Sequence, residues 1–250
     1  MPSTRMKRAY LPTNPFLIAI LGMATILLFR CGSEDNGPNG QESDEFAICN
    51  DLIGEGCPGN ASVYCLFGYK WGEQGTFESI GDRGSGPAST GGTVTYSFQE
   101  MAGNINTHRE VNVPTFSFDL LDDCAKEQIE KAFESWETIA DINFQKEPDD
   151  TNSDIRLYVA GTIQTGIAFP AFQGGKCQEL AGQLTINPNH RFDCEEFYLF
   201  VLHEIGHTLG LGHVTTADIM NGSSNVILSL DGIQQGDSLG LIEIYGPKTD

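Results

Sequence analysis

Basic residues are scarce in this chain of 250 residues: 14 Lys and Arg stand against 34 Asp and Glu, a formal net charge of -20. Four of the cations, Arg5, Lys7, Arg8 and Arg30, lie in the first thirty residues, which hold no acid, so the remainder carries 10 basic against 34 acidic residues. A surface at -24 repels nucleic acid and anionic membrane, and this excludes a nucleic-acid partner while favouring solubility or divalent cations. Long apolar runs are also missing. The stretch from Phe16 to Leu28 is too short for a comfortable membrane span. There is no internal repeat, no appended binding domain and no twelve-residue EF-hand pattern. Histidine is rare, five in all, and three of the five fall within one stretch of eleven residues. With 40% apolar residues and 29 glycines, the chain has enough material for a substantial core and many turns, in one domain or two.

The N-terminus reads as a targeting segment. Arg5, Lys7 and Arg8 followed by the apolar run form a signal peptide over 1–30, so the chain is exported to the cell surface or the extracellular medium. Cys31 comes next, and Gly32 to Gly40 begins a flexible polar tether that occupies 31–45. This arrangement resembles a bacterial lipoprotein, which implies acylation of Cys31 and a lipid anchor in the membrane. Arg30 departs from the small residue expected before such a cysteine, and a cleaved secreted form or a short uncleaved anchor are the alternatives. Six cysteines remain beyond Cys31, an even number suited to three disulfides outside the cytosol, with 15 pairings open. Cys177 and Cys194 bracket one strand-like segment and are the expected pair.

Chemistry concentrates in His203-Glu204-Ile205-Gly206-His207-Thr208-Leu209-Gly210-Leu211-Gly212-His213. Residues four apart share a helix face, so His203 and His207 present two imidazoles to one metal ion. Glu204 sits beside the first ligand, placed to polarise a water on the metal rather than to bind the metal. Gly210 ends the helix, and Gly212 lets His213 return as a third ligand. Three nitrogen ligands leave a fourth tetrahedral position open, the pattern of a catalytic zinc.

This stretch resembles the extended zinc signature of the metzincin metalloproteases, and Gly206, Leu209 and Leu211 look most like the matrixin branch, in particular its bacterial members. The resemblance implies an α+β metzincin-like domain, a twisted and mostly parallel sheet of about five strands with three helices and the zinc site on the second helix. It assigns Met220, in Ala217-Asp218-Ile219-Met220, to a methionine turn under the histidines. Matrixins also hold their zinc inactive with a propeptide cysteine, but Gly56-Cys57-Pro58-Gly59 lacks the arginine and aspartate of that latch.

Residues 46–69 read as a small cysteine-rich cap and 70–250 as the peptidase domain. Strands are expected at Gly92 to Phe98, Asn143 to Gln145, Asp154 to Val159, Gly166 to Pro170 and Gly182 to Asn187. The resemblance makes Gly166 to Pro170 the edge along which substrate lies. Helices are expected over Cys124 to Ala140, after Asp193 with Glu196 as a capping box, and over Leu230 to Tyr245 with Leu239, Ile242 and Tyr245 on one face.

His108 and His190 read as exposed loop residues, too few and too far apart for the second, structural zinc of animal matrixins. Asp149, Asp150 and Asp154 cluster before a strand and admit calcium as a further ion. Val214 stands where subfamilies usually carry a polar residue. The implied function is a zinc endopeptidase that acts outside the cell on proteins or peptides, as a monomer, with the zinc-bound water activated by Glu204. The alternative is a non-catalytic surface-binding lipoprotein on the same fold. Hydrolysis of a cell-wall peptide is a variant of the first reading.

Overall fold

Alternating apolar side chains build the centre of the sheet. In the computed structural model, which describes residues 46, 49, 63–72, 77–79, 92–172 and 175–248, β3 (Gly92–Gln99) and β7 (Ile155–Ala160) pair in parallel. Val94 and Phe98 on one strand, and Ile155, Leu157 and Val159 on the other, are fully buried. Strand β6 (Ile142–Lys146) joins β3 in parallel, and β9 (Gln183–Ile186) joins β7 in parallel. Strand β8 (Gly166–Ala168) then closes that side, antiparallel to β9. These are the five expected strands, and four of them are parallel.

Two further strands enlarge the sheet. Between β3 and the first helix the chain forms a hairpin, β4 (Gly103–Ile105) and β5 (Val113–Phe116), and β5 pairs antiparallel with the end of β7. The result is a mixed seven-stranded sheet. A separate two-stranded ribbon, β1 (Tyr69–Trp71) and β2 (Phe77–Ser79), precedes it.

Two long helices pack with the sheet in one core. Helix α1 (Ala125–Glu137) buries Ile129, Ala132, Phe133 and Trp136, and the ring of Phe133 stacks on Tyr96 of β3 with centroids 4.1 Å apart. Helix α2 (Cys194–Thr208) is locked to α1 by Trp136, whose indole N–H donates to the Leu202 carbonyl. A short helix α3 (Ser224–Ile227) and helix α4 (Gln235–Tyr245) complete the chain. Helix α4 starts later than expected, and only part of its expected face turns inward. Tyr245 is buried and Ile242 half-buried, but Leu239 is exposed, and Gly236, Asp237, Gly240, Leu241 and Ile244 are buried as well. Its glycines decide this, since a Cβ on Gly236 would lie 2.2 Å from the Val63 carbonyl oxygen and one on Gly240 would meet Leu211 and Tyr64 at 2.9 Å.

The disulfides correct the expected pairing. Cys194 bonds Cys124, not Cys177, and joins the N-terminal ends of α1 and α2. Cys177 bonds Cys49 in a second small core with Phe46, Phe169 and Leu180. Cys65 is disulfide-bonded as well. The two cysteines of the expected pair stand on different elements, and three-dimensional proximity overrides closeness in sequence. The aspartates proposed for calcium do not converge either. Asp154 accepts from the Thr95 N–H and hydroxyl, Asp150 accepts from the N–H groups of Glu100 and Met101, and Asp149 faces Lys126. Leader, tether, Cys31 and Cys57 lie outside the described residues.

Candidate metal centre

Helix α2 begins at a capping box. The Asp193 carboxylate accepts from the N–H groups of Glu195 and Glu196, and the Glu196 side chain accepts from the Asp193 N–H. Phe197, Phe200 and Val201 then bury the helix, which brings His203 and His207 one turn apart into the interior. The helix stops at Gly210, whose φ of 102° is open to glycine and strained for other residues. A Cβ there would also lie 2.2 Å from the Tyr69 carbonyl oxygen. The last carbonyls of the helix have side-chain partners. Thr208 accepts from the Trp71 indole and Leu209 from the Tyr245 hydroxyl, while that hydroxyl accepts from the Trp71 N–H.

After this reversal His213 meets the other two histidines. The three Nε2 atoms stand 3.1, 3.1 and 3.2 Å apart. Nδ1 of His203 donates to the Ile219 carbonyl at 2.7 Å and Nδ1 of His207 to the Leu211 carbonyl at 2.8 Å. With the proton on Nδ1, the Nε2 lone pairs of these two rings point inward. Burial, the largest cause, pushes His203 down to about 4 and His213 to about 3, and lowers His207 as well, so the rings are neutral. Converging lone pairs on neutral imidazoles repel unless a cation lies between them. Tetrahedral zinc with nitrogen at about 2.0–2.1 Å sets its ligands roughly 3.3 Å apart, which fits this triangle. Among the described residues these histidines are the one group of three or more metal-binding side chains close enough to share an ion.

Glu204 is buried next to His203, and burial alone pushes its carboxyl up to about 8. A cation at the histidines acts in the opposite direction. Its carboxylate lies against β8, for a Cβ on Gly166 would stand 2.6 Å from Glu204 Oε1. Among the described residues strand β8 pairs with β9 alone, and the bonds of Thr165 and Phe169 fix its register. In that register the N–H and C=O of Gly166 and Ala168 point away from β9, on an outer edge that lies beside Glu204 and whose residues are buried. Met220 is buried with its sulfur over Gly206, where a Cβ would be 2.4 Å from Sδ.

With this geometry in place, sequence comparison identifies the family. A sequence model of the Matrixin family matches residues 106–246, more than half of the chain. The chain belongs to the matrixin family. Relatives include the interstitial collagenase of Sus scrofa, 25% identical over 153 residues, which cover 57% of this chain and 33% of that protein. Stromelysin-1 of Equus caballus is 28% identical over 161 residues, 56% of this chain and 32% of the relative. The hatching enzyme of Paracentrotus lividus is 30% identical over 134 residues, 49% and 20% respectively. This matrixin thus spans a third or less of the length of these relatives.

Three residues around the matrixin site differ from the sequence reading. His108 is not an exposed loop residue. It is 4% exposed at the tip of the β4–β5 hairpin, 5.6 Å from the Phe169 ring, with Nε2 accepting from Arg109 Nε. Burial first, and then the Arg109 charge, push it down to about 3. His190 is half-buried near Thr165. Gly212 serves a different purpose from the one expected. Its N–H donates to the Cys65 carbonyl, and a Cβ there would strike Cys65 Sγ at 2.7 Å. It admits the segment 65–67, whose Phe67 ring stacks on His207 at 5.6 Å. Gly166, Phe67, Trp71 and Tyr245 carry no local signal for these roles, because each meets the site across a long stretch of chain.

Proposed function

We propose that this matrixin is an extracellular zinc-dependent endopeptidase that hydrolyses peptide bonds of proteins. The observation that carries the reading is the juxtaposition of three converging Nε2 atoms, a buried carboxylate beside them and the outer edge of β8 against that carboxylate. His203, His207 and His213 would hold the ion, which when bound supplies Lewis acidity toward water and a carbonyl oxygen. Glu204 does the proton work: it takes a proton from the attacking water and passes it to the departing amine. The outward N–H and C=O groups of Gly166 and Ala168 hold an extended peptide as an added strand, so affinity comes from the backbone and many sequences are accepted. Phe67 covers the His207 face and keeps water from that side of the ring.

Glu204→Gln keeps the size of the side chain and removes its basicity. Casein turnover should fall by about a hundred- to ten-thousand-fold with zinc retained, and a chelator should abolish the wild-type activity. Turnover within a few-fold of wild type would sink the mechanism, and a zinc-loaded wild type with no turnover would favour the non-catalytic binder. Export through the leader, with Cys31 as a lipid attachment point, belongs to the same reading. Cys31→Ser should then move the protein from the membrane fraction to the soluble one, and a wild type that is already soluble would leave simple secretion.

A further inference from the structure

We infer that Arg109, at the tip of the β4–β5 hairpin, is a specificity residue that reads a carboxylate on the peptide substrate. The tip is held in place by several bonds. The Thr107 N–H donates to the Glu110 carbonyl at 2.7 Å, and the Thr107 hydroxyl oxygen accepts from the N–H groups of Arg109 and Glu110 at 3.1 and 2.9 Å. The Glu110 carboxylate accepts from the Ile163 N–H at 3.0 Å, in the connection that leads into β8. His108 is buried with its ring 5.6 Å from that of Phe169, the residue that follows β8. Val111 packs on the same small core as Phe169. The hairpin therefore touches the chain just before and just after the strand whose Gly166 lies against Glu204.

Arg109 is half-buried, and its Nε donates to His108 Nε2 at 3.2 Å. The acceptor is a neutral ring, so this bond fixes the plane of the guanidinium and leaves its charge unbalanced. The neighbouring Glu110 turns its carboxylate to Ile163 and meets the Arg109 charge only at longer range. Among the described residues no carboxylate forms an ion pair with Arg109, whereas Lys126, Lys146, Lys176 and Lys248 each face one. Its two terminal nitrogens keep the fork of donors that matches a carboxylate. The same charge acts on the metal centre: burial and His203 come first in lowering His213, and Arg109 adds to them.

A chain with 34 acidic and 14 basic residues repels an acidic peptide at long range. A peptide laid along β8 passes the hairpin tip, and there one guanidinium offers two parallel bonds to a carboxylate. That carboxylate belongs to an Asp or Glu side chain or to the C-terminus of the peptide.

The inference rests on the peptidase reading above, and its test separates the two. Peptides of one parent sequence carry Glu or Ala at each position flanking the cleaved bond, with a free or an amidated C-terminus. The zinc-loaded full chain gives kcat/KM on quenched-fluorescence versions, and Glu204→Gln, with turnover slowed, gives affinity by fluorescence anisotropy. One carboxylate should be preferred over its uncharged counterpart by roughly ten- to a hundred-fold in both readouts, the range of a hydrogen bond to a charged group. A preference that survives amidation places the carboxylate on a side chain, and one lost on amidation places it at the chain end. Arg109→Gln, which retains a donor for His108, should bring the ratio close to one. Arg109→Lys, which keeps the charge without the fork, should lower it several-fold and becomes the decisive variant if Arg109→Gln does not fold. No acidic preference in wild type, an unchanged ratio in the variant, or an equal loss on charged and uncharged peptides would overturn the inference alone. A zinc-loaded wild type that binds acidic peptides through Arg109 but cleaves none would overturn the peptidase reading and leave the inference standing. A wild type that binds no peptide would overturn both.

Discussion

His108 shows how a single residue links the inserted hairpin to stability. Held neutral at about 3 by burial and by Arg109, its ring gains no proton in the folded state until strongly acid pH. The unfolded chain takes up that proton near 6.5, so between the two values the unfolded state binds more protons and is favoured as pH falls. The contribution is fully present above about 6.5 and is lost toward pH 3, at no more than about 1.4 kcal/mol per pH unit. His108→Phe should therefore flatten the acid limb when denaturant midpoints are compared with wild type across that range. Parallel curves would show that the ring is not held neutral by its site. His203, His207 and His213 shift in the same direction, so the comparison with wild type isolates His108.

Between elements, β8 and α2 meet at close range. Gly166 touches both the Phe200 ring and the Glu204 carboxylate, and a Cβ would stand 2.5 Å from the first and 2.6 Å from the second. Neither helix nor strand is free to retreat, because α2 is anchored at its far end by Trp71 and Tyr245, and β8 by its pairing with β9. Gly166→Ala should displace the Glu204 carboxylate, lowering kcat by roughly ten- to a hundred-fold, as expected when a catalytic group moves by about an ångström. Zinc content should be unchanged. Full activity in the purified variant would mean that Glu204 tolerates the displacement.

Across the whole molecule, disulfides do what local sequence cannot. Cys124–Cys194 ties the starts of the two long helices across 70 residues, and Cys49–Cys177 ties the N-terminal segment to the turn after β8 across 128. Replacing Cys124 and Cys194 together by serine should destabilise the protein by about 4 kcal/mol on the loop-closure estimate. Urea denaturation measures it, and a loss under about 1 kcal/mol would mean that the packed helices already restrict the unfolded chain.

Sequence alone determined the parts whose physics is local or periodic. Alternation placed the five central strands, helical spacing placed the buried face of α1, and Asp193 with Glu196 marked the start of α2. The trio His203, His207 and His213 was legible because two of its members share one helix turn and a glycine reversal returns the third. Tertiary structure decided whatever depends on residues far apart in the chain. It set the cysteine pairing, the burial of His108 at the tip of the β4–β5 hairpin, the inward face of α4, and the contacts of Gly166 with Glu204 and Phe200. Residues such as Gly212 visibly lack a Cβ but have no visible neighbour in the sequence. Which neighbour fills that space is settled only when the core closes, since close packing and hydrogen-bond satisfaction are properties of the assembled chain.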